Sequence, residues 1–352
     1  MTGSVHQTQR QMNNRGKIMG NKSEQWQDMP ERLQAILLVF TLTTCTAPVV
    51  AQQITWSGFA DVLYTRQLSD TANGNFGYGQ FEIDFSAVVL PNVNFIGAIS
   101  YSAGSGHFIM GAGFLDISLN GSAPDGNGLV KHTGVMLGRF DVPFGIDYTR
   151  IPSPNRRLVS IPLLTQKTVN CWNDIGLNLY GELALFNYNF FIVNGAENGS
   201  AMGSRITVPL GESMEFGGSF AMQTAKNDAN AIPKIYGVDF QSTLGPVKLS
   251  FEYQQATALL EGDFNLETED CQHNGYYGEV DWDVTSFSGL PIFLIGRYGA
   301  WEMDNDDQVS QIAAGMGYKF GKGFEMRAEY LSDQVQHYNP ENHLTMQAVV
   351  SF

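Results

Sequence analysis

The sequence predicts an all-β protein, a closed antiparallel transmembrane β-barrel of about sixteen strands. Three observations predict it. Composition is rich in glycine and aromatics and poor in charge: 38 Gly in 352 residues, 12% Phe, Tyr and Trp, and 16% charged residues. A water-exposed surface ordinarily carries more charge than this. Second, apolar and polar side chains alternate with a period of two over most of the chain after residue 51, so each strand has one apolar and one polar face. Third, short turn-forming connections alternate with longer polar ones, the layout of an outer-membrane barrel. No window reaches the ~18 consecutive apolar residues of a membrane-spanning helix. A formal net charge of -15 argues against a nucleic-acid partner, since phosphate neutralisation needs Lys and Arg.

In chain order the first element is a leader, 1–51. Arg32 precedes the apolar run Leu33–Leu42 (LQAILLVFTL), and the small-residue stretch TTCTAPVVA follows. Charged, then apolar, then small is the order of a secretory signal peptide. Cleavage is expected after Ala51, with Val49 at the other recognition position. The charged region is long for a signal, so a start at Met19 or Met29 also fits. Cys45 offers a lipid attachment point, although Thr44 is a poor residue before it. The same run also reads as a buried helix of a soluble domain. Removing the leader takes five basic and three acidic residues, so the net charge moves from -15 to -17. Export also places Cys171 and Cys271 in an oxidising compartment.

Residues 52–352 then read as one barrel. Strands are expected at 53–66, 79–90, 94–103, 108–120, 132–142, 173–182, 185–193 and 203–209. Eight more follow at 213–223, 234–243, 247–256, 275–285, 291–301, 308–320, 323–332 and 342–352. In the second, Phe81, Ile83, Phe85, Ala87 and Val89 alternate with Gln80, Glu82, Asp84 and Ser86. Val247, Leu249, Phe251 and Tyr253 alternate likewise with Lys248, Ser250, Glu252 and Gln254. In the last strand Leu344, Met346, Ala348, Val350 and Phe352 face His343, Thr345, Gln347 and Ser351. Turn residues such as Pro91-Asn92, Pro209–Glu212, Gly245-Pro246 and Gly321–Gly323 close alternate connections. In lipid an open sheet edge leaves backbone groups unpaired, so the sheet must close, apolar faces outward and polar faces to a lumen. A soluble sandwich of this length would need two domains, and no linker is evident; nor is a propeller period.

The connection 143–172 is the longest. Loops beyond ~12–15 residues are usually functional or disordered, and its Ile, Leu, Val and Trp content argues for order. Sixteen strands enclose an aqueous bore, which leaves room for such a loop to fold inward. The segment LGRFDVPFGIDYTRIPSPNRRLVSIPL, Leu137–Leu163, followed by WNDIGLNLYGEL, Trp172–Leu183, resembles the phosphate-selective porin O/P-like bacterial porins. The resemblance rests on a Gly-x-Phe-x-x-Pro-Phe motif, here Gly138, Phe140, Pro143 and Phe144, and the barrel layout extends it over most of 53–352. It implies a trimeric, sixteen-strand outer-membrane porin, a channel for passive diffusion of small hydrophilic solutes or ions. It does not carry over phosphate selectivity. The namesake members line the pore with Arg and Lys, whereas the polar faces here carry Glu82, Asp84, Asp116, Glu182, Glu252, Glu279, Asp281 and Asp283, with Lys248, Arg297 and Arg327 scattered among them.

Selectivity in a pore follows the charges at its constriction. The candidates are Arg139, Arg150, Arg156, Arg157 and Lys167, with Asp141 and Asp147 nearby. Arg150, Arg156 and Arg157 are expected to face Glu82, Asp84 or Asp116 across the pore and set up a transverse field. The competing expectation is that Arg156 and Arg157 only pin the loop to wall carboxylates. The charge of -17 suggests a mild cation preference. Glu279, Asp281 and Asp283 alternate on one face as a lumenal acidic row; in-face residues of a straight strand splay apart, which disfavours a metal site. No metal and no cofactor are expected. Cys171 and Cys271 both fall in long loops and are candidates for a disulfide.

The implied partners are the lipid bilayer, lipopolysaccharide, and two further copies in a homotrimer of the bacterial cell outer membrane. Acidic loops carrying Glu267, Glu269 and Asp270, and Glu302, Asp304, Asp306 and Asp307, suit divalent bridges to lipopolysaccharide. The terminal Phe352 resembles the signal read by the barrel-assembly machinery. An enzyme would need a Ser or Asp with a positioned His. His107, His132, His273, His337 and His343 lie in no nucleophile motif, and no Walker loop, dinucleotide fingerprint, HExxH or CxxC occurs. The rival readings are a structural or adhesin barrel plugged by its own loops and a barrel hydrolase.

Overall fold

A computed structural model describes residues 54–68, 73–102, 106–120, 130–169, 171–195, 199–224, 232–257, 272–303 and 308–352. The expected leader, the Met19 and Met29 starts and Cys45 lie outside these residues. Sixteen strands form: β1 (Ile54–Gln67), β2 (Asn75–Leu90), β3 (Val93–Ser102), β4 (Phe108–Ser118), β5 (Val130–Asp141), β6 (Asn173–Leu183), β7 (Asn187–Val193) and β8 (Ala201–Leu210). They continue as β9 (Met214–Gln223), β10 (Lys234–Leu244), β11 (Val247–Thr257), β12 (Gln272–Asp283), β13 (Ile292–Met303), β14 (Gln308–Gly321), β15 (Phe324–Val335) and β16 (Glu341–Ser351). Each pairs antiparallel with its sequence neighbours. β1 closes on β16, from Phe59 opposite Ser351 to Gln67 opposite His343, so no edge is left unpaired. Pairing runs past β16: Gly58 and Phe352 exchange N–H···O bonds of 3.0 Å each.

This is the predicted fold class with the predicted strand number. The largest boundary difference is β2, which starts four residues early because Asn75–Tyr78 pair with Val62–Thr65 beyond a bulge. The bulge is on β2, where Gly79 and Gln80 face the single inward residue Asp61 of β1 and the strand's alternation changes phase. The Gln80 N–H donates to the Asp61 carboxylate at 3.1 Å instead of to a strand carbonyl.

Burial is inverted relative to a water-soluble protein. On β11, Phe251 is 43% exposed while its neighbour Glu252 is 1% exposed. On β16 exposed Met346 likewise adjoins buried Gln347. Apolar atoms on the outside and polar ones inside require an apolar medium around the barrel. Aromatic pairs cluster at both ends of that outer surface. Trp56–Phe85, Phe216–Phe240 and Phe320–Phe324 lie near the short turns. Tyr64–Phe76, Phe220–Tyr236 and Tyr276–Tyr298 lie near the opposite rim. Such girdles mark the two lipid–water interfaces.

The interior is not wholly polar. Phe140, Val142, Phe144 and Val169 pack on Phe191, Val193, Ile235 and Ala256. Ile146, Leu163 and Leu164 pack on Tyr277 and Trp301, and Leu158 on Phe293, Ile295 and Ala313. Each such side chain gains roughly 1.5–3 kcal/mol on full burial, so the segment between β5 and β6 carries its own core.

The motif glycine has a steric cause. Gly138 has φ +136°, and a Cβ there would meet the Gly113 carbonyl oxygen and lie 2.7 Å from the Phe114 Cα on β4. Gly138→Ala is expected to cost roughly 1–3 kcal/mol, the usual penalty for a strained backbone. A lowered urea midpoint of the detergent-refolded barrel checks it.

Candidate functional site

The segment 142–172 leaves β5 and returns to β6 through a neck closed by the Val142 N–H bond to the Trp172 carbonyl, 2.8 Å. Gly145, at φ +64°, turns the chain and donates its N–H to Ser219 Oγ on β9 at 3.1 Å. A 3-10 turn at Asp147–Thr149 buries Asp147, which accepts from Thr165 Oγ1 at 2.6 Å and from the Tyr277 hydroxyl at 3.0 Å. One carboxylate thus ties two parts of the loop to each other and to β12. A second 3-10 turn, Ser153–Asn155, docks on the opposite wall: Ser153 donates its N–H to Gln80 Oε1 at 2.9 Å and its hydroxyl to Asp61. A short helix, α1 (Leu163–Lys167), completes the segment.

Two buried arginines hold the middle of the loop by its backbone. Arg297 donates to the Ser160 carbonyl at 3.1 Å and to Ser160 Oγ at 2.6 Å. Arg327 donates to the carbonyls of Arg156 at 2.6 Å and Ser153 at 2.9 Å. Glu329 answers with the opposite polarity, accepting from the Val159 and Ser160 N–H groups at 2.6 and 3.0 Å. Loop polar groups that would otherwise be buried unpaired are satisfied by wall side chains, at a net gain of roughly 1.5–3 kcal/mol for each bond to a charged group. These contacts run round the interior from β9 through β15 to β1 and β2.

The predicted partners of the loop arginines are corrected by this geometry. Arg150 lies 3.6 Å from Glu279 and donates to Gln241 and Ser250 at 2.8 and 2.9 Å. Burial opposes its charge, but Asp147, Glu279 and Glu252 outweigh that and hold the guanidinium above its ordinary range. Arg157 lies 3.5 Å from Asp281 with its guanidinium 4.2 Å over the Phe293 ring. Arg156 donates to the Ile151 carbonyl within the loop, and burial lowers its pKa. Among the described residues, no ion pair joins these three to Glu82, Asp84 or Asp116. The reason is where the guanidiniums point: those of Arg150 and Arg157 lie against β10–β13, away from β2–β4. Asp116 instead accepts from the Tyr180 hydroxyl at 2.5 Å, two residues from the end of β4. Lys167 is half-buried at the end of α1.

The acidic row is likewise divided. Glu279 takes Arg150 and also Arg297, each at 3.6 Å, and Asp281 takes Arg157. Asp283 accepts from the Thr285 N–H at 3.0 Å, at the first residue of α2 (Thr285–Ser288). Arg139 donates to Asn173 Oδ1 at 2.9 Å. Asp61 and Glu329, which anchor the loop, were not among the candidate residues. Nothing local in the sequence marks either as a loop anchor.

A cavity of about 650 Å³ remains between the loop and β1–β5. Its wall side presents Glu82, Asp84, Asp141 and Arg139, and its loop side presents Ile151, Pro152, Ile161, Val169 and Trp172. Among the described residues lining it, Arg139 is the one base. A smaller cavity of about 130 Å³ lies on the other side of the loop, against Arg150, Arg157, Glu279 and Asp281.

Cys171 lines the larger cavity as a free thiol at φ +62°. Cys271, its candidate partner, lies outside the described residues. Burial pushes the Cys171 thiol up to about 11. Alkylation at pH 8 is therefore expected to run about a hundredfold slower than at an exposed cysteine of pKa ~8.5. The rate should climb about tenfold per pH unit toward pH 11, and mass spectrometry of the alkylated protein measures it.

No family model matches the sequence, and no curated protein matches it. Solved structures do. The anion-selective porin from Comamonas acidovorans is 13% identical, with a TM-score of 0.63 over 86% of this chain and 100% of that one. In-vitro folded OmpT of Vibrio cholerae, in its trimer form, is 12% identical at 0.62, covering 86% and 100%. Salmonella typhi OmpF in complex with daunomycin is 9% identical at 0.60, covering 86% and 98%. At these identities the likeness is one of fold: the chain has the architecture of the outer-membrane porins.

Proposed function

We propose that the protein is a porin of the bacterial outer membrane, a non-enzymatic channel for passive diffusion of small hydrophilic solutes or ions. The segment 143–172 is its constriction. The observation that carries this reading is the 650 Å³ space left between the loop and β1–β5, where Glu82, Asp84, Asp141 and Arg139 lie among apolar side chains such as Phe59 and Ile109. A loop held by Arg297, Arg327, Glu329 and Asp61 narrows a bore without filling it. The fold shared with structures described as porins supports the same reading, and the trimer form of one of them supports a homotrimer. Lipopolysaccharide at the acidic loops and assembly through Phe352 belong to the same proposal. Phosphate selectivity does not: the base-poor wall of the open space argues for a mild cation preference.

A barrel plugged by its own loops is the rival. Swelling of proteoliposomes in isotonic neutral sugars separates the two. A diffusion channel admits small sugars and slows with their size, whereas a plugged barrel admits none. Single-channel steps in multiples of three would support the trimer.

A further inference from the structure

We infer that the open lane favours small organic cations carrying an apolar group, such as amines on an aromatic or branched aliphatic body. The inference rests on the channel reading above and names the solute class for it. Three observations combine. The first is where the loop's positive charge goes: Arg150 and Arg157 are turned away from the lane and matched to Glu279 and Asp281. That leaves Glu82, Asp84 and Asp141 facing the lane against Arg139 alone. Ser100 donates to Glu82, and Asn173 Nδ2 donates to Asp141 at 2.8 Å, so neutral groups position two of these carboxylates.

The second observation is the opposite wall. Ile151, Pro152, Ile161 and Val169 form an apolar ledge inside the bore, continued by Trp172, whose ring stands edge-on to Phe191 at 5.6 Å. Apolar surface lining an aqueous passage holds poorly bonded water, which an apolar solute group displaces favourably. Trp is also the best aromatic partner for a cation. The third observation is size: about 650 Å³ falls in the range that holds drug-sized molecules. An inorganic cation uses only the carboxylate wall, and a neutral sugar has no use for the ledge. An anion with an aromatic body meets like charge. Only an organic cation with an apolar body uses both walls.

The test uses the refolded full barrel in planar bilayers, with reversal potentials for phenethylammonium, ethylammonium and phenylacetate, each against a potassium chloride reference. After correction for aqueous mobility, phenethylammonium is expected to exceed ethylammonium by about threefold, the scale of one exposed cation–π or partial burial contact. It should exceed phenylacetate by more. Ile151→Ser with Ile161→Ser should bring the advantage of the ring to about one. Glu82→Gln, Asp84→Asn and Asp141→Asn together should abolish the preference for amine over carboxylate. Equal permeability of phenethylammonium and phenylacetate would overturn the inference, as would a ring advantage that survives the serine pair. In both cases potassium chloride current leaves the channel reading standing. A folded barrel that passes no ion at all would overturn the channel reading and this inference with it.

Discussion

Replacing Arg297 and Arg327 together by alanine is expected to release the inward loop and raise single-channel conductance at least about twofold. Both side chains are almost fully buried, and they donate to the carbonyls of Ser160, Arg156 and Ser153 and to Ser160 Oγ. Each such bond from a charged donor contributes roughly 1.5–3 kcal/mol, so their joint loss exceeds what Leu158 contributes. The 153–160 stretch is the part released, while the clusters around Phe144 and Leu164 stay packed. The substitution also leaves Glu279 without one of its two arginines and Glu325 without Arg327 at 3.2 Å. Arg297→Lys with Arg327→Lys keeps the charge but loses the planar fork that spans several acceptors, and should fall between wild type and the alanine pair. Planar-bilayer recording of barrels shown to be folded by gel mobility measures the effect. Larger, noisier open levels are expected. An unchanged conductance would mean that the loop is held elsewhere.

Asp239→Ala is expected to be the most destabilising single change in the wall. Asp239 receives two bonds from Arg205, at 2.5 and 3.0 Å, and both side chains are under 5% exposed. Ser219 Oγ accepts a third bond from the same guanidinium at 3.1 Å. Removing the carboxylate leaves a buried cation with one neutral partner, which typically costs 3–5 kcal/mol. A paired change, Arg205→Met with Asp239→Leu, should restore most of the loss, because two apolar groups replace a pair whose desolvation was costly. The urea midpoint of the refolded barrel decides this. By contrast, the exposed Lys131–Glu182 pair at 2.6 Å should change stability by less than about 1 kcal/mol when broken.

The fold was legible because every strand advertises its two faces locally. A period of two, bounded by residues such as Gly245-Pro246 or Gly321–Gly323, needs no knowledge of distant contacts. β2 begins earlier than its alternation indicates because its first residues pair beyond a bulge at Gly79–Gln80, opposite Asp61, and one extra residue breaks the period of two. The inward loop was legible as long and ordered, but its partners were not. Ser153 meets Asp61 across 92 positions and Arg327 meets the Arg156 carbonyl across 171; strand order alone does not say which wall a loop will choose. One signal was present in the sequence. Phe190–Val193 and Ile292–Ile295 are apolar on both faces, where a purely water-lined wall would alternate. Their inward members, Phe191, Val193, Phe293 and Ile295, are the residues the loop core packs on. In a barrel of this kind, a strand without alternation marks the part of the bore that is filled.

The charge of the larger open space, acidic along β2 and β5, is tested most directly by the reversal potential of the refolded barrel across a potassium chloride gradient. Discrete openings with a potential of the sign that favours potassium are expected, because the open wall carries Glu82, Asp84 and Asp141 against Arg139. A folded barrel with no openings, or one whose potential favours chloride, would contradict it.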